Sequence, residues 1–136
     1  MIRGPYRLLP ALALAVLPGA LDALQDRPEV AVAPDGAVVR VLDMLDGKLT
    51  DLEIRPGETV SHERLEITLT ECRYPVENPA ADAFAYLKIR DVREAEDRFD
   101  GWMTAASPAL SAMDHPRYDV WVLRCITPAA DTSDDG

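Results

Sequence analysis

The chain has 136 residues, 24 of them acidic and 14 basic, for a formal net charge of −10. That length accommodates one domain, and so acidic a chain is repelled by nucleic acid and by anionic lipid headgroups. The charge favours solubility and, in a partner, basic groups.

The N-terminus reads MIRGPYRLLPALALAVLPGALDALQDRPEV. Arg3 and Arg7 supply a positive start, Leu8 to Leu17 an apolar run, and Gly19, Ala20 and Ala23 the small residues that follow. This is the layout of a secretory signal peptide over residues 1–23. The apolar run is far shorter than the roughly 20 residues that span a bilayer, and Pro10 and Pro18 interrupt it. A periplasmic domain with no transmembrane span after cleavage is therefore expected. Loss of Arg3, Arg7 and Asp22 moves the net charge to −11.

Residues 24–36 carry two prolines and no sustained periodicity, and are read as an irregular lead-in. A single β domain is expected over 37–126. Within it AVVRVLD runs into MLDGKLT and then DLEIRPG, and Asp46-Gly47 between two apolar-alternating runs is a hairpin signal because glycine accepts a positive φ. Thr50, Leu52 and Ile54 share one face of the second run, as in a half-buried strand. Pro56-Gly57 marks the next turn. RLEITLTEC follows with Leu65, Ile67 and Leu69 on one face, and AFAYLKIRD forms another strand. The carboxylates Glu94 and Glu96 fall in a charge run read as a solvated turn. The last ten residues, 127–136, are read as a disordered tail.

Residues 99–125, FDGWMTAASPALSAMDHPRYDVWVLRC, are the densest stretch. Trp102 falls on a short strand. Ser107 is placed to cap a helical turn opened by Pro108, on which Leu110 and Met113 both face the core. Asp114-His115-Pro116 ends it. Tyr118 to Cys125 is apolar on both faces, the pattern of a central strand. Cys72 and Cys125 are the only cysteines, and in an exported chain they are most simply a disulfide. Closing a loop of about 54 residues contributes on the order of 4 kcal/mol in the chain-entropy picture. In a straight strand Cys72 points away from Leu65, Ile67 and Leu69, so a bulge or break is expected near Glu71.

The expected fold is all-β, a small sandwich or barrel of about six short strands with one helical turn; α+β is the alternative. No strand interleaves aromatic and basic residues as nucleic-acid-binding barrels do. A Ser107, His115, Asp119 triad can be written down, but no Gly-x-Ser-x-Gly elbow surrounds the serine. Cys72, Cys125, His62 and His115 make a ligand set for tetrahedral zinc, without the short Cys and His pairs that build such sites. His62 and His115 can also titrate near neutrality where exposed, although a histidine before a proline is more often a turn residue.

Together, GWMTAASPALSAMDHPRYDVWVLRC, ITLTECRY and VVRVLDMLDGKLTDLEI closely resemble the domain-of-unknown-function family 2155 (DUF2155), over roughly residues 36–126. The resemblance implies a small exported protein of alphaproteobacteria and brings no catalytic residues or cofactors. It further implies a genomic association with an accessory subunit of NADH:quinone oxidoreductase, hence a partner in that respiratory complex. The expected function is a non-catalytic periplasmic interaction domain, an accessory or assembly component of an envelope complex. Candidate partner contacts are Trp102, Ser107, Pro108, Leu110, His115 and Pro116. A small-molecule or metal-binding protein is the alternative, and a Ser/His hydrolase ranks behind both.

Overall fold

The computed structural model describes residues 27–128 together with Gly4, so the signal-peptide reading and nearly all of the tail lie outside the described residues. Eight antiparallel strands follow in chain order: β1 (Val30–Val32), β2 (Ala37–Asp43), β3 (Lys48–Ile54), β4 (Thr59–His62), β5 (Leu65–Pro75), β6 (Phe84–Asp91), β7 (Asp97–Thr104) and β8 (Tyr118–Cys125). A 3₁₀ turn, η1 (Pro108–Ser111), interrupts the connection between β7 and β8. One sheet runs β1–β5–β6–β7, with β4 pairing the other end of β5; the second runs β3–β2–β8. The two face each other across a core built from Val39, Val41, Ile54, Ile67, Leu87 and Val120. The chain is all-β, as its alternation indicates.

The turns follow the expected chemistry. Gly47 adopts φ +74°, its N–H bonds the Asp43 carbonyl at 2.8 Å, and Asp46 Oδ1 accepts the Lys48 N–H. Gly57 sits at φ +79°, with the Glu58 N–H on the Arg55 carbonyl. Gly36 has a stricter role. Its φ is +93°, and a Cβ there would stand 1.9 Å from the Ile54 carbonyl oxygen. Only glycine lets the start of β2 lie this close to the end of β3.

Cys72 and Cys125 are joined, with their Cα atoms 5.7 Å apart, and the bridge ties β5 of one sheet to β8 of the other. Two irregularities aim them inward. The β5–β6 register shifts between Leu69 and Glu71, so Thr70 is extra and Cys72 turns to the core side, as the face conflict requires. The β2–β8 register shifts where Val38 pairs with Arg124 and Val39 with Val122. Leu123 is the extra residue, and Cys125 leaves the half-exposed face of Trp121 to become buried.

Four expectations are corrected. The lead-in contributes a strand, because Val30–Val32 completes the far end of β5 through the register Val30↔Pro75 to Val32↔Arg73. Strand β8 lies at a sheet edge and β2 is central; Tyr118, Val120 and Val122 of β8 are buried in the core, while Asp119, Trp121 and Leu123 are half-buried on its other face. Ser107 makes no side-chain cap; instead its carbonyl accepts the Leu110 N–H and the Thr104 hydroxyl. Leu110 is 79 % exposed while Met113 is buried. The tight turn ends at Ser111, before Met113, so the two side chains never share a helical face.

Candidate functional site

His115 lies at one end of the sandwich, where β2, β6 and β8 and the β4–β5 turn meet. It is 5 % exposed. Its Nδ1 accepts the backbone N–H groups of Arg117 at 3.0 Å and Tyr118 at 3.1 Å. A nitrogen facing two donors carries no proton, so Nε2 carries it and donates to Asp91 Oδ2 at 2.9 Å. Asp91 is fully buried; it also accepts Arg64 Nη2 at 2.5 Å and the Arg93 N–H at 3.0 Å. The Arg64 guanidinium holds its carboxyl far below the usual carboxylate range, against the opposing effect of burial. Beside this cluster Arg117 pairs with Asp43 at 2.8 Å and lies over the Tyr118 ring. The cluster ties the ends of β2, β6 and β8 to the β4–β5 turn.

This arrangement answers the triad and the zinc readings. Both nitrogens of His115 are engaged by Asp91 and by backbone amides, so it is not the base of Ser107, and Asp119 is not its orienting carboxylate. Asp119 sits on β8 opposite Leu42. Cys72 and Cys125 are bonded to each other, which removes both sulfurs from the proposed zinc set. Of the six candidate contacts, Trp102, Ser107, Pro108, Leu110 and Pro116 are at the surface, and His115 is withdrawn into the interior.

Trp102 belongs to a larger assembly on the outward face of the β1–β5–β6–β7 sheet. Residues paired across an antiparallel ladder share a face. Val32, Arg73, Phe84 and Thr104 therefore form one outward row, and Glu71, Tyr86 and Trp102 the next. The Tyr86 ring meets Trp102 edge-on with centroids 5.4 Å apart, a favoured aromatic geometry. The Arg73 guanidinium lies over Trp102 at 4.9 Å and is neutralised by Glu71. The Tyr86 hydroxyl donates to Asp100 Oδ1 at 2.7 Å, which pushes the phenol pKa up. Each large side chain is thus fixed by a neighbour.

The assembly remains open to solvent. Trp102 is 38 % exposed, Val32 52 % and Val30 43 %. Val30, Arg73, Phe84 and Trp102 line a shallow hollow of about 280 Å³. Two other concavities lack the convergence of polar groups on an apolar floor that a small-molecule site shows. The hollow between η1 and β8 is lined by Pro108, Ala109, Ala112, Val120 and Trp121, with Asp119 as its charged residue. The other lies among Glu94, Glu96, Asp97, Arg98 and Asp114 at the β6–β7 turn.

Sequence reasoning found Trp102 but not Val30, Val32, Arg73, Phe84 or Tyr86. A signal existed in FAYLKIRD: Ala85, Leu87 and Ile89 alternate as the core set, which leaves Phe84 and Tyr86 outward in front of Lys88 and Arg90. For Arg73 the signal was hidden by the Thr70 bulge, which inverts the parity of everything after it.

The family model of uncharacterized proteins conserved in bacteria, DUF2155, matches residues 37–125, from the start of β2 to the end of β8. The chain belongs to this family. No curated protein and no solved structure matches it.

Proposed function

We propose that this DUF2155 domain is a non-catalytic interaction module of the periplasm, which docks on another envelope protein through the face centred on Trp102. The observation that carries the reading is an exposed tryptophan held in place by Tyr86 and Arg73 on a rigid sheet, with two exposed valines beside it. Aromatic anchors held in one geometry lose little entropy on binding and dominate interface energetics. The disulfide supports an oxidising compartment. The NADH:quinone oxidoreductase is the partner suggested by the family resemblance.

The test is affinity purification from mildly solubilised membranes of cells producing tagged wild type or Trp102→Ala, followed by mass spectrometry. A specific set of envelope proteins should accompany the wild type and be reduced at least tenfold with Trp102→Ala, while both unfold at similar temperatures. Equal recovery with both would sink the docking face. Recovery that depends on Trp102 but contains no oxidoreductase subunit would sink that choice of partner.

A further inference from the structure

The docking face continues onto a sheet edge whose backbone is open. Val76 N–H bonds the Glu29 carbonyl at 2.9 Å, and Ala33 N–H bonds the Cys72 carbonyl at 2.8 Å. With the register Ala31↔Tyr74, the peptide groups of Glu29, Ala31 and Ala33 are turned to β5. By alternation those of Val30 and Val32 point the other way, where no further strand lies among the described residues. Both residues are exposed, so this edge is reachable. The edge of β8 is different: Pro108, Ala109 and Ala112 of the β7–β8 connection run beside Asp119, Val120 and Trp121 there.

From this edge we infer that the partner binds as an extended segment, adding a strand alongside β1 with apolar side chains at alternate positions and basic ones between. The inference rests on the docking reading above and names the form of the ligand. Two N–H and two C=O groups spaced two residues apart on one edge match an extended chain, not a helix. The outward side chains of an added strand would lie beside Val30 and Val32, which lead into the hollow with Phe84 and Trp102. The surrounding charge selects its polar positions. Glu29 and Glu77 both lie just beyond the Val30↔Pro75 end of the β1–β5 pairing, and neither has an ion pair among the described residues. Arg73 is already matched by Glu71, and the whole chain carries −10. The same charge disfavours a second copy of this chain as the occupant. No lysine or proline stands at Val30, Ala31 or Val32 to block strand addition.

Val32→Pro tests this directly. It removes an N–H that faces outward and bonds nothing in β5, a position where edge strands tolerate proline. Two measurements accompany it. In the first, the intact domain is titrated by NMR with the synthetic peptide Lys-Val-Lys-Phe-Lys-Val-Lys and with its Lys→Glu counterpart. The basic peptide should slow amide exchange at Val30 and Val32 at least tenfold, and Val32→Pro should abolish binding. Equal binding by the acidic peptide, binding without protection of these two amides, or unchanged binding by Val32→Pro each overturns the inference. In the second, Val32→Pro joins Trp102→Ala in the membrane purification. Loss of the partner with both supports strand addition. Loss with Trp102→Ala alone leaves the docking face standing and refutes the strand. Retention with both refutes the docking face itself. A wild-type dimer in sedimentation equilibrium that Val32→Pro dissolves would assign the edge to a second copy and also overturn the inference.

Discussion

Asp91→Asn changes one atom at the centre of the buried cluster and preserves volume, so its effect isolates the charge. Oδ1 can still accept the Arg93 N–H, but an amide NH₂ would confront Arg64 Nη2 and the His115 Nε2–H, two donors now lacking an acceptor. Hydrogen bonds to charged groups contribute about 1.5–3 kcal/mol each, and removing one partner of a buried ion pair costs about 3–5 kcal/mol. The Arg64 side chain is 24 % exposed and can turn partly to water, which favours the lower end, about 3 kcal/mol. With an unfolding entropy near 2.1 cal/mol/K per residue over about 100 residues, the midpoint should fall by about 15 °C. Thermal and urea unfolding followed by tryptophan fluorescence would measure it. The pH dependence adds a second check. The folded carboxyl is held below its unfolded value by Arg64. Its contribution is therefore complete above the unfolded pKa of about 3.9 and is lost as pH falls from there towards the folded value. The wild type should weaken faster than Asp91→Asn as pH falls from about 4 towards 2, and the gap between them should narrow. A loss below about 1 kcal/mol at pH 7, or a gap that stays constant in acid, would refute the cluster as the lock of this end of the fold.

Two further substitutions test other parts of the architecture. Gly36→Ala would place a Cβ 1.9 Å from the Ile54 carbonyl at a φ that side chains avoid, so it should destabilise by about 3 kcal/mol or more in urea unfolding; a near-neutral result would mean that the β2–β3 approach is looser than described. Tyr118→Phe should be neutral or stabilising by about 1 kcal/mol, because the buried hydroxyl has no hydrogen-bond partner among the described residues and an unsatisfied polar group costs about 1–3 kcal/mol. A loss above 1 kcal/mol by the same measurement would show that the hydroxyl is satisfied in solution.

What the residues disclosed and what they concealed divides along a physical line. Local chemistry was legible: Asp46-Gly47 and Pro56-Gly57 make turns, Thr50, Leu52 and Ile54 share a face, and the face conflict at Cys72 announced the Thr70 bulge. Strand order was not, since nothing in YDVWVLRC distinguishes a central strand from an edge strand whose second face is half-buried. The short β1 was invisible for a similar reason. Val30–Val32 has no turn signal before it and gains its ladder only from the far end of β5, some forty residues away in sequence. Ser107-Pro108 looked like a cap and an entry to a helix, yet the 3₁₀ turn stops at Ser111, leaving Leu110 outside.

His115 illustrates why residue type is a poor guide to the site in this fold. The histidine shared by the triad, zinc and partner-contact readings is buried in a structural cluster, and the reason lies in the connection it anchors. Thirteen residues cross from β7 to β8, from Ala105 to Arg117, and contain only one short turn of regular structure. Such a segment stays in place only if its backbone and ends are fixed. Asp82 Oδ1 accepts the Ala106 N–H at one end, Arg98 bonds the Asp114 carbonyl, and His115 closes the other end onto Asp91. With the connection held, Pro108, Ala109 and Ala112 stay beside the edge strand β8, and Trp102 on β7 faces outward by its register with Tyr86. The polar groups concentrated near His115 are therefore the support, while the proposed docking face is the less conspicuous row of Val32, Arg73 and Phe84 with Trp102 beside it. Rigid support distant from an apolar contact face is what an interaction module requires, because a face that must first be ordered loses that ordering entropy from its binding free energy.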